Sequence, residues 1–231
     1  NILVQWNMSP ETLVDQSEIS GVDYYLENTD SVKNDYTLAA NGSTYRKDKE
    51  GIVPSLIIDY YNERKSVKNQ MLAAESAYQK NKTFELEKEM LRLHNQQMAI
   101  KILMNSLYGA LGNAYFKYFD LRMAEGVTLT GQLAIRWAER AVDGAMNKLL
   151  NTNNKDYVIA IDTDSLYINF APLVKQFNPK DPVKWLDKIC KDHFEVILSE
   201  AYATLFVKMN CHAHRMEMGR EVIADRGIWT A

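Results

Sequence analysis

The apolar positions between residues 56 and 79 recur mostly three and four apart. Leu56, Ile57, Tyr60, Tyr61, Val67, Met71, Leu72, Ala74, Ala77 and Tyr78 succeed one another with no Gly or Pro inside the run, which predicts one long helix. The polar stretch Lys80-Asn81-Lys82-Thr83 interrupts it, and Thr83 is suited to cap a second helix. Residues 84 to 108 resume the helical spacing through Leu86, Met90, Leu91, Leu93, Met98, Ile102 and Leu107, so the two segments predict a helical hairpin. Gly109 and Gly112 are expected to end its second arm and to permit close packing, residues 114 to 119 to form an aromatic strand, and residues 124 to 150 a helix with Leu133 and Trp137 on its apolar side. Farther on, Pro172, Pro179 and Pro182 bracket an expected loop, residues 183 to 207 a helix, and residues 212 to 230 strands. Ahead of the long helices, residues 11 to 35 carry seven acidic residues against one basic, Lys33, and predict a solvated, irregular or short-helical segment. Asn41-Gly42 marks a hairpin turn, and Pro54 precedes the first long helix.

One stretch departs from these patterns. Residues 157 to 170, Y-V-I-A-I-D-T-D-S-L-Y-I-N-F, set Asp162 and Asp164 inside an apolar, β-branched and aromatic run. Strand formers flank turn chemistry, so a tight hairpin with both carboxylates at its tip is expected. An ordinary hairpin loop would explain Asp and Ser in a turn. A site for divalent cations would explain two carboxylates facing one spot, because hard ions take carboxylate and phosphate oxygens together.

The helical hairpin carries charge of the opposite sign. Arg64, Lys65 and Lys68 lie on its first helix, with Arg64 and Lys68 four apart; Lys101, Asn105 and Tyr108 lie on its second, four and then three apart. Arg64 lies 17 residues before Asn81 and Lys101 lies 20 after it, so both fall about 25 to 30 Å from the tip at 1.5 Å per residue. In an antiparallel pair they meet at one level and could seat a triphosphate, with Arg gripping in bidentate fashion and Lys acting as a point charge. A solvated charged face, with Glu63 as a local partner, is the alternative.

Composition narrows the class without choosing it. The 231 residues are 46% hydrophobic, enough for a sizeable core. The formal net charge of -3 argues mildly against autonomous nucleic-acid binding. Two cysteines, Cys190 and Cys211, make no disulfide framework and suit a reducing cytosol. Cys211-His212-Ala213-His214 is at most half a zinc site, since a second pair of soft ligands is lacking. Gly109-Ala110-Leu111-Gly112 lacks the Gly-Lys-Ser/Thr ending of a P-loop. No apolar run is long enough for a membrane span, and the N-terminus lacks a signal-peptide layout. The chain opens on Asn1 and stops after an apolar Gly227-Ile228-Trp229 stretch; both ends are expected to be cuts.

Lys101-Ile102-Leu103-Met104-Asn105-Ser106-Leu107-Tyr108-Gly109 resembles the fingers motif of family B DNA polymerases, and residues 157 to 168 with their D-T-D-S centre resemble the palm motif of that family. The wording of N-M-S-P-E-T, N-S-L-Y-G-A-L-G-N, Y-F-D-L-R and R-E-V-I-A-D-R-G-I-W-T-A resembles the branch found in T-even-type bacteriophages. The resemblance covers nearly the whole chain. It implies an α+β fold: an antiparallel palm sheet backed by helices, with an inserted helical-hairpin fingers subdomain. Palm would occupy residues 1–55 and 115–231, with the catalytic hairpin at 157–170, and fingers residues 56–114.

Carried over by residue, the resemblance implies that Asp162 and Asp164 bind catalytic metal, and that Arg64, Lys68 and Lys101 hold the incoming deoxynucleoside triphosphate. Asn105 and Tyr108 would line the nascent base-pair pocket, and Glu221 would be an accessory acidic residue. The implied cofactor is Mg²⁺, two ions in the complete enzyme, with Mn²⁺ as a substitute. Implied partners are primer-template DNA and dNTP, with a separate chain carrying missing polymerase segments as a further candidate; the implied location is the cytoplasm, that of an infected bacterial host for a phage-encoded chain. The family's first palm motif, an aspartate followed by Ser-Leu-Tyr-Pro, is absent, and Asp59 in L-I-I-D-Y-Y is read as helical surface. Asn1-Ile2-Leu3-Val4 resembles the residues just after that motif. The Lys-Lys-x-Tyr signature, the exonuclease and the thumb are absent as well, and the fingers hairpin is shorter than in T-even enzymes. The expectation is template-directed nucleotidyl transfer by two metals, inactive in the isolated chain; the rival is a non-catalytic binding or assembly module derived from a polymerase fold.

Overall fold

The computed structural model describes residues 1–18, 21–28 and 35–228. In chain order these form α1 (Ile2–Gln5), β1 (Leu13–Gln16), α2 (Val22–Glu27), β2 (Tyr36–Leu38), β3 (Ser43–Arg46), α3 (Ile52–Lys80), α4 (Phe84–Leu111), α5 (Leu121–Leu150), β4 (Val158–Asp162), β5 (Ser165–Ile168), α6 (Ala171–Phe177), α7 (Pro182–Ile189) and α8 (Glu195–Lys208), with a π-helical turn, Cys190–Phe194, joining α7 to α8. The class is mixed helix with small antiparallel sheets: β1, β3 and β2 form one in that order, and β4 with β5 forms another.

Helix α5 is the spine. Met123, Gly126, Thr130, Leu133, Ala134, Ala138, Val142 and Met146 are buried along it, at the three-and-four spacing that keeps one stripe inward. That stripe packs on α2, α8 and both sheets, and α4 reaches it as well. Trp137 ties α5 to α8, its indole Nε1 donating to the Ala201 carbonyl at 2.9 Å. Thr130, buried among apolar neighbours, satisfies its hydroxyl by accepting from the Ala40 amide at 3.0 Å, as a buried polar group must.

The long helices α3 and α4 pack on each other and make a second, smaller core of Val67, Leu93 and Ile100, with Tyr60, Met71, Ala74 and Met104 against it. Thr83 caps α4, accepting from the Leu86 amide at 3.3 Å. The start of α3 is capped from a distance. Its first amides go to Glu11 Oε1, 2.6 Å from the Ile52 nitrogen, and to Ser9 Oγ, 3.2 Å from that of Val53, so the side chains that serve its orphan donors come from the N-terminal segment. Asn7, in the left-handed region at φ 56°, accepts from the Gly51 amide and donates to the Arg46 and Lys49 carbonyls. Gly51 fits there because a Cβ would lie 2.6 Å from Ser9 Cβ.

Several expectations need correction. Helix α3 begins at Ile52, so Pro54 lies in its first turn, where no intrahelical N–H is required of it. Gly109 does not end α4, which runs to Leu111 and is capped at Gly112; a Cβ on Gly109 would meet nothing within 4 Å, so close packing does not explain that glycine. Residues 114 to 119 are turns, not a strand, with Tyr115 almost wholly exposed: the amides of Phe116 and Phe119 donate three residues back, to the Asn113 and Phe116 carbonyls, and no described strand pairs with the segment. The prolines did not bracket a bare loop, since Pro172 and Pro182 open α6 and α7 at positions proline favours. Residues 212 to 228 are irregular and not strands; their backbone is taken up by side chains, Gln5 Oε1 accepting from the amides of Arg215 and Met216 and Glu195 Oε1 from that of Arg220. The acidic segment buries more than expected, because Val22, Tyr25 and Leu26 of α2 enter the core; Asp30 and Lys33 lie outside the described residues.

Candidate functional site

The hairpin tip forms where the sequence places it. Asp162 pairs with Ser165, so Thr163 and Asp164 make a two-residue turn, and Thr163 has φ 50°. A positive φ at the first turn residue alone is the pattern of a type II′ turn, which favours Gly there; a β-branched Thr in that region is strained. Asp162 and Asp164 are both exposed. Asp162 Oδ1 accepts from the Thr163 hydroxyl at 3.1 Å. Behind the tip, burial and the nearby Asp164 charge push the Tyr202 hydroxyl of α8 up to about 12. Ala201, next to Tyr202, is held by Trp137. The root of the hairpin is bonded at Asp143, farther along α5.

The N-terminal half of α5 holds the helical pair. The Tyr108 hydroxyl of α4 lies 3.0 Å from Thr128 Oγ1 of α5. On the other arm, Arg64 Nε donates to Gln97 Oε1 at 3.3 Å. Gln97, Lys101 and Asn105 are four apart and share one stripe of α4, so Arg64 faces that stripe one turn from Lys101. Arg64 is half-buried while Lys68, Lys101 and Asn105 are exposed and free to reach an anion in solvent. Asp59 is exposed on α3, in line with its reading as helical surface. Glu221 is exposed in the irregular C-terminal segment, its carbonyl accepting from the Arg220 guanidinium at 3.2 Å while Arg220 also bonds Asp187 of α7; these contacts attach it to α7 and α8, not to the hairpin tip.

The tip carboxylates are hard oxygen donors of the kind divalent cations take. Among the described residues, no group of three or more His, Cys, Asp or Glu converges as a metal cluster, so the tip offers two carboxylates rather than a full coordination set. Cys211 is buried, with its thiol pushed up to about 12 by burial, which disfavours the thiolate a zinc ligand needs.

The structure adds residues that the sequence pattern does not single out. Asp143 and Asn147 of α5 hold the root of the hairpin through five hydrogen bonds to its flanking backbone and to Thr152. Their signal was weak: two short polar residues four apart on the last turns of a helix, next to the N-T-N-N-K loop. Gln97 and Thr128 carry no signal of their own in the sequence.

In sequence, this chain is similar to known proteins of one family. A family model described as DNA polymerase family B matches residues 1–178, and the chain belongs to that family. It is 30% identical to the DNA-directed DNA polymerase of Enterobacteria phage T4 over 97% of its own length and 30% of the relative's. It is 29% identical to that of Escherichia phage RB69, over its whole length and 32% of the relative's. A protein named DNA polymerase beta from African swine fever virus shares 30% identity over 73% of this chain. The chain thus spans about a third of the length of the phage polymerases it matches. The family B DNA polymerase of Pyrobaculum calidifontis is similar over 83% of this chain and 20% of its own, with a TM-score of 0.48 and 20% identity.

Proposed function

We propose that this chain is the palm and fingers portion of a DNA-directed DNA polymerase, and that it contributes to template-directed nucleotidyl transfer from dNTPs. In this reading residues 1–55 and 115–231 are palm and 56–114 fingers. The observation that carries the reading is the joint presence, in a family B chain, of a two-carboxylate hairpin tip and a cation-lined helical pair attached to the same helix.

Asp162 and Asp164 would hold Mg²⁺, which when bound stabilises the attacking and leaving oxygens of an in-line displacement. Two carboxylates hold a divalent ion loosely, so the reading adds a third carboxylate from another polymerase segment, and the isolated chain is expected to be inactive. Arg64, Lys68 and Lys101 would clamp the β- and γ-phosphates and offset charge on the departing pyrophosphate. Gln97 keeps the Arg64 fork in place for this. Phosphoryl transfer leaves little covalent work for protein groups, so the contribution of these side chains is positional and electrostatic. Asn105 and Tyr108 would line the nascent base pair, with Tyr108 oriented by Thr128. Glu221 would be an accessory acidic group that approaches only with the C-terminal segment rearranged. Primer-template DNA, dNTP and the remaining polymerase segments are the expected partners. No helix among the described residues is long and apolar enough to cross a membrane.

The test is primer extension by this chain with and without a second chain that supplies the upstream palm segment. Extension by the pair, its loss in Asp164→Asn and silence of the chain alone are expected. A pair that extends equally well with Asp164→Asn would sink the site assignment.

A further inference from the structure

The β4–β5 hairpin is a poor candidate for holding its own direction. It is a two-stranded sheet, marginal by itself in water, and Ile159, Ile161 and Tyr167 along it are exposed. While Leu166 and Ile168 on one face are only partly buried against the core, the fully buried part is the root, at Tyr157 and Val158. There the polar contacts converge on two side chains of α5. Asp143 Oδ1 accepts from two successive amides, Tyr157 at 2.7 Å and Val158 at 3.0 Å. Asn147, one turn later, donates to the Lys155 carbonyl at 2.7 Å and to the Asp143 carbonyl at 2.8 Å, and accepts from the Lys155 amide at 3.1 Å and the Thr152 hydroxyl at 2.8 Å. Both donors of its amide, and both lone-pair sites of its oxygen, are thereby used. Thr152 Oγ1 in turn lies 2.8 Å from the Tyr157 hydroxyl. The other strand closes on the same residue, the Asn169 amide donating to the Tyr157 carbonyl at 2.8 Å.

Two consecutive amides bonded to one oxygen fix the plane in which the strand leaves α5. From Val158 to Asp162 is about 13 Å of strand, so a tilt of about 5° at the root moves the tip by about 1 Å, a displacement that in a catalytic site costs about a hundredfold in rate. We propose that Asp143 is a positioning residue: it sets the direction of the β4–β5 hairpin and, through it, the location of Asp162 and Asp164. The second half of this statement rests on the reading of those two residues as the metal-binding pair; the first half does not. Asp143 touches no reacting group, and Asn147 supports it by fixing the connecting loop.

Amide exchange and a label distance test the first half in this chain directly. Spin labels at Thr163→Cys and Lys148→Cys report the tip against α5, the native thiols being buried. Asp143→Ala is expected to broaden the distance distribution and to speed exchange of the Tyr157 and Val158 amides by about tenfold, the loss of a net hydrogen bond or two, while exchange in α5 and α8 stays as it was. Asp143→Asn keeps an oxygen acceptor and should restore the narrow distribution. An unchanged distribution and unchanged exchange in Asp143→Ala would overturn the proposal; so would failure of Asp143→Asn to restore them, since the role would then not be that of the oxygen. In the reconstituted polymerase, Asp143→Ala is expected to lower kcat by about 10- to 100-fold with the nucleotide KM within about threefold, and an unaltered kcat beside a broadened tip would reduce Asp143 to a structural anchor and overturn the positioning role. Full activity of Asp164→Asn would remove the metal reading while leaving the label and exchange results to decide the direction-setting role.

Discussion

Arg64 Nε and Gln97 Oε1 meet at 3.3 Å across α3 and α4, at the level where Val67 and Leu93 pack beneath them. This bond takes one guanidinium donor and leaves the others for an anion, so Gln97 orients Arg64 without neutralising it. Arg64→Ala is expected to raise the nucleotide KM of the reconstituted polymerase by tenfold or more, in the range of about 1.5–3 kcal/mol for a charged hydrogen bond. Arg64→Lys should recover only part of this, lacking the planar fork, and Gln97→Leu should cost only about threefold. Steady-state KM values for a dNTP would check the order; a Gln97→Leu effect larger than that of Arg64→Ala would invert the roles.

Both tip carboxylates are exposed, so their loss should leave the fold intact. Asp162→Asn and Asp164→Asn are each expected to change unfolding free energy by less than about 0.5 kcal/mol. Primer extension by the reconstituted pair should fall by about a hundredfold or more. Denaturant melts and extension assays on the same preparations separate the two effects.

Two glycines should respond in opposite directions. At Gly51 an added Cβ would lie 2.6 Å from Ser9 Cβ, inside the clasp that caps α3, so Gly51→Ala is expected to cost about 1–3 kcal/mol. Gly144, in α5, has open space where a Cβ would be, and Gly144→Ala should gain about 0.5–1 kcal/mol from helix propensity. Urea unfolding would measure both; a stabilising Gly51→Ala would mean the clasp yields.

Alkaline pH should unfold the chain early. Burial pushes the Cys211 thiol and the Tyr25 and Tyr202 hydroxyls up to about 12, from ordinary values of 9.0 and 10.0, and pushes Tyr45 up as well. Each group stays protonated in the folded chain while the unfolded chain releases its proton, so the linked stability is fully present below about pH 9 and falls as pH rises from 9 toward 12. Melting temperature measured from pH 7 to 11 should be flat at first and then drop. Cys211→Ser should reduce the earliest part of the drop, which begins at the ordinary thiol value of 9.0; the Cys190 thiol, also pushed up by burial, contributes the rest.

The long periodic segments were legible because helix burial leaves a repeating mark: Leu133 and Trp137 sit on the inward side of α5, and the Thr83 cap lies where the spacing breaks. The hairpin of β4 and β5 was legible for the same local reason, strand formers on either side of a turn. Residues 114 to 119 and 212 to 228 were misread as strands because a strand needs a partner to bond with, and aromatic or alternating composition says nothing about whether one lies alongside. The clasp of Asn7, Ser9 and Glu11 on the start of α3 joins positions some forty residues apart. Nothing in the local pattern of either segment announces it.

By itself the sequence determined which long segments are helical, where two carboxylates and three cations stand, and, through its motifs, the family to which the chain belongs. These depend on neighbours within a few residues or on wording that survives along the chain. Only the tertiary structure decided that Arg64 faces Gln97, that Tyr108 leans on Thr128, and that Asp143 and Asn147 hold the root of the hairpin. Hydrogen bonds between helices, and from a helix to a strand, depend on how whole elements are placed by the burial of α5. A side chain four residues from its neighbour is visible in the sequence; the backbone it will meet across the core is not.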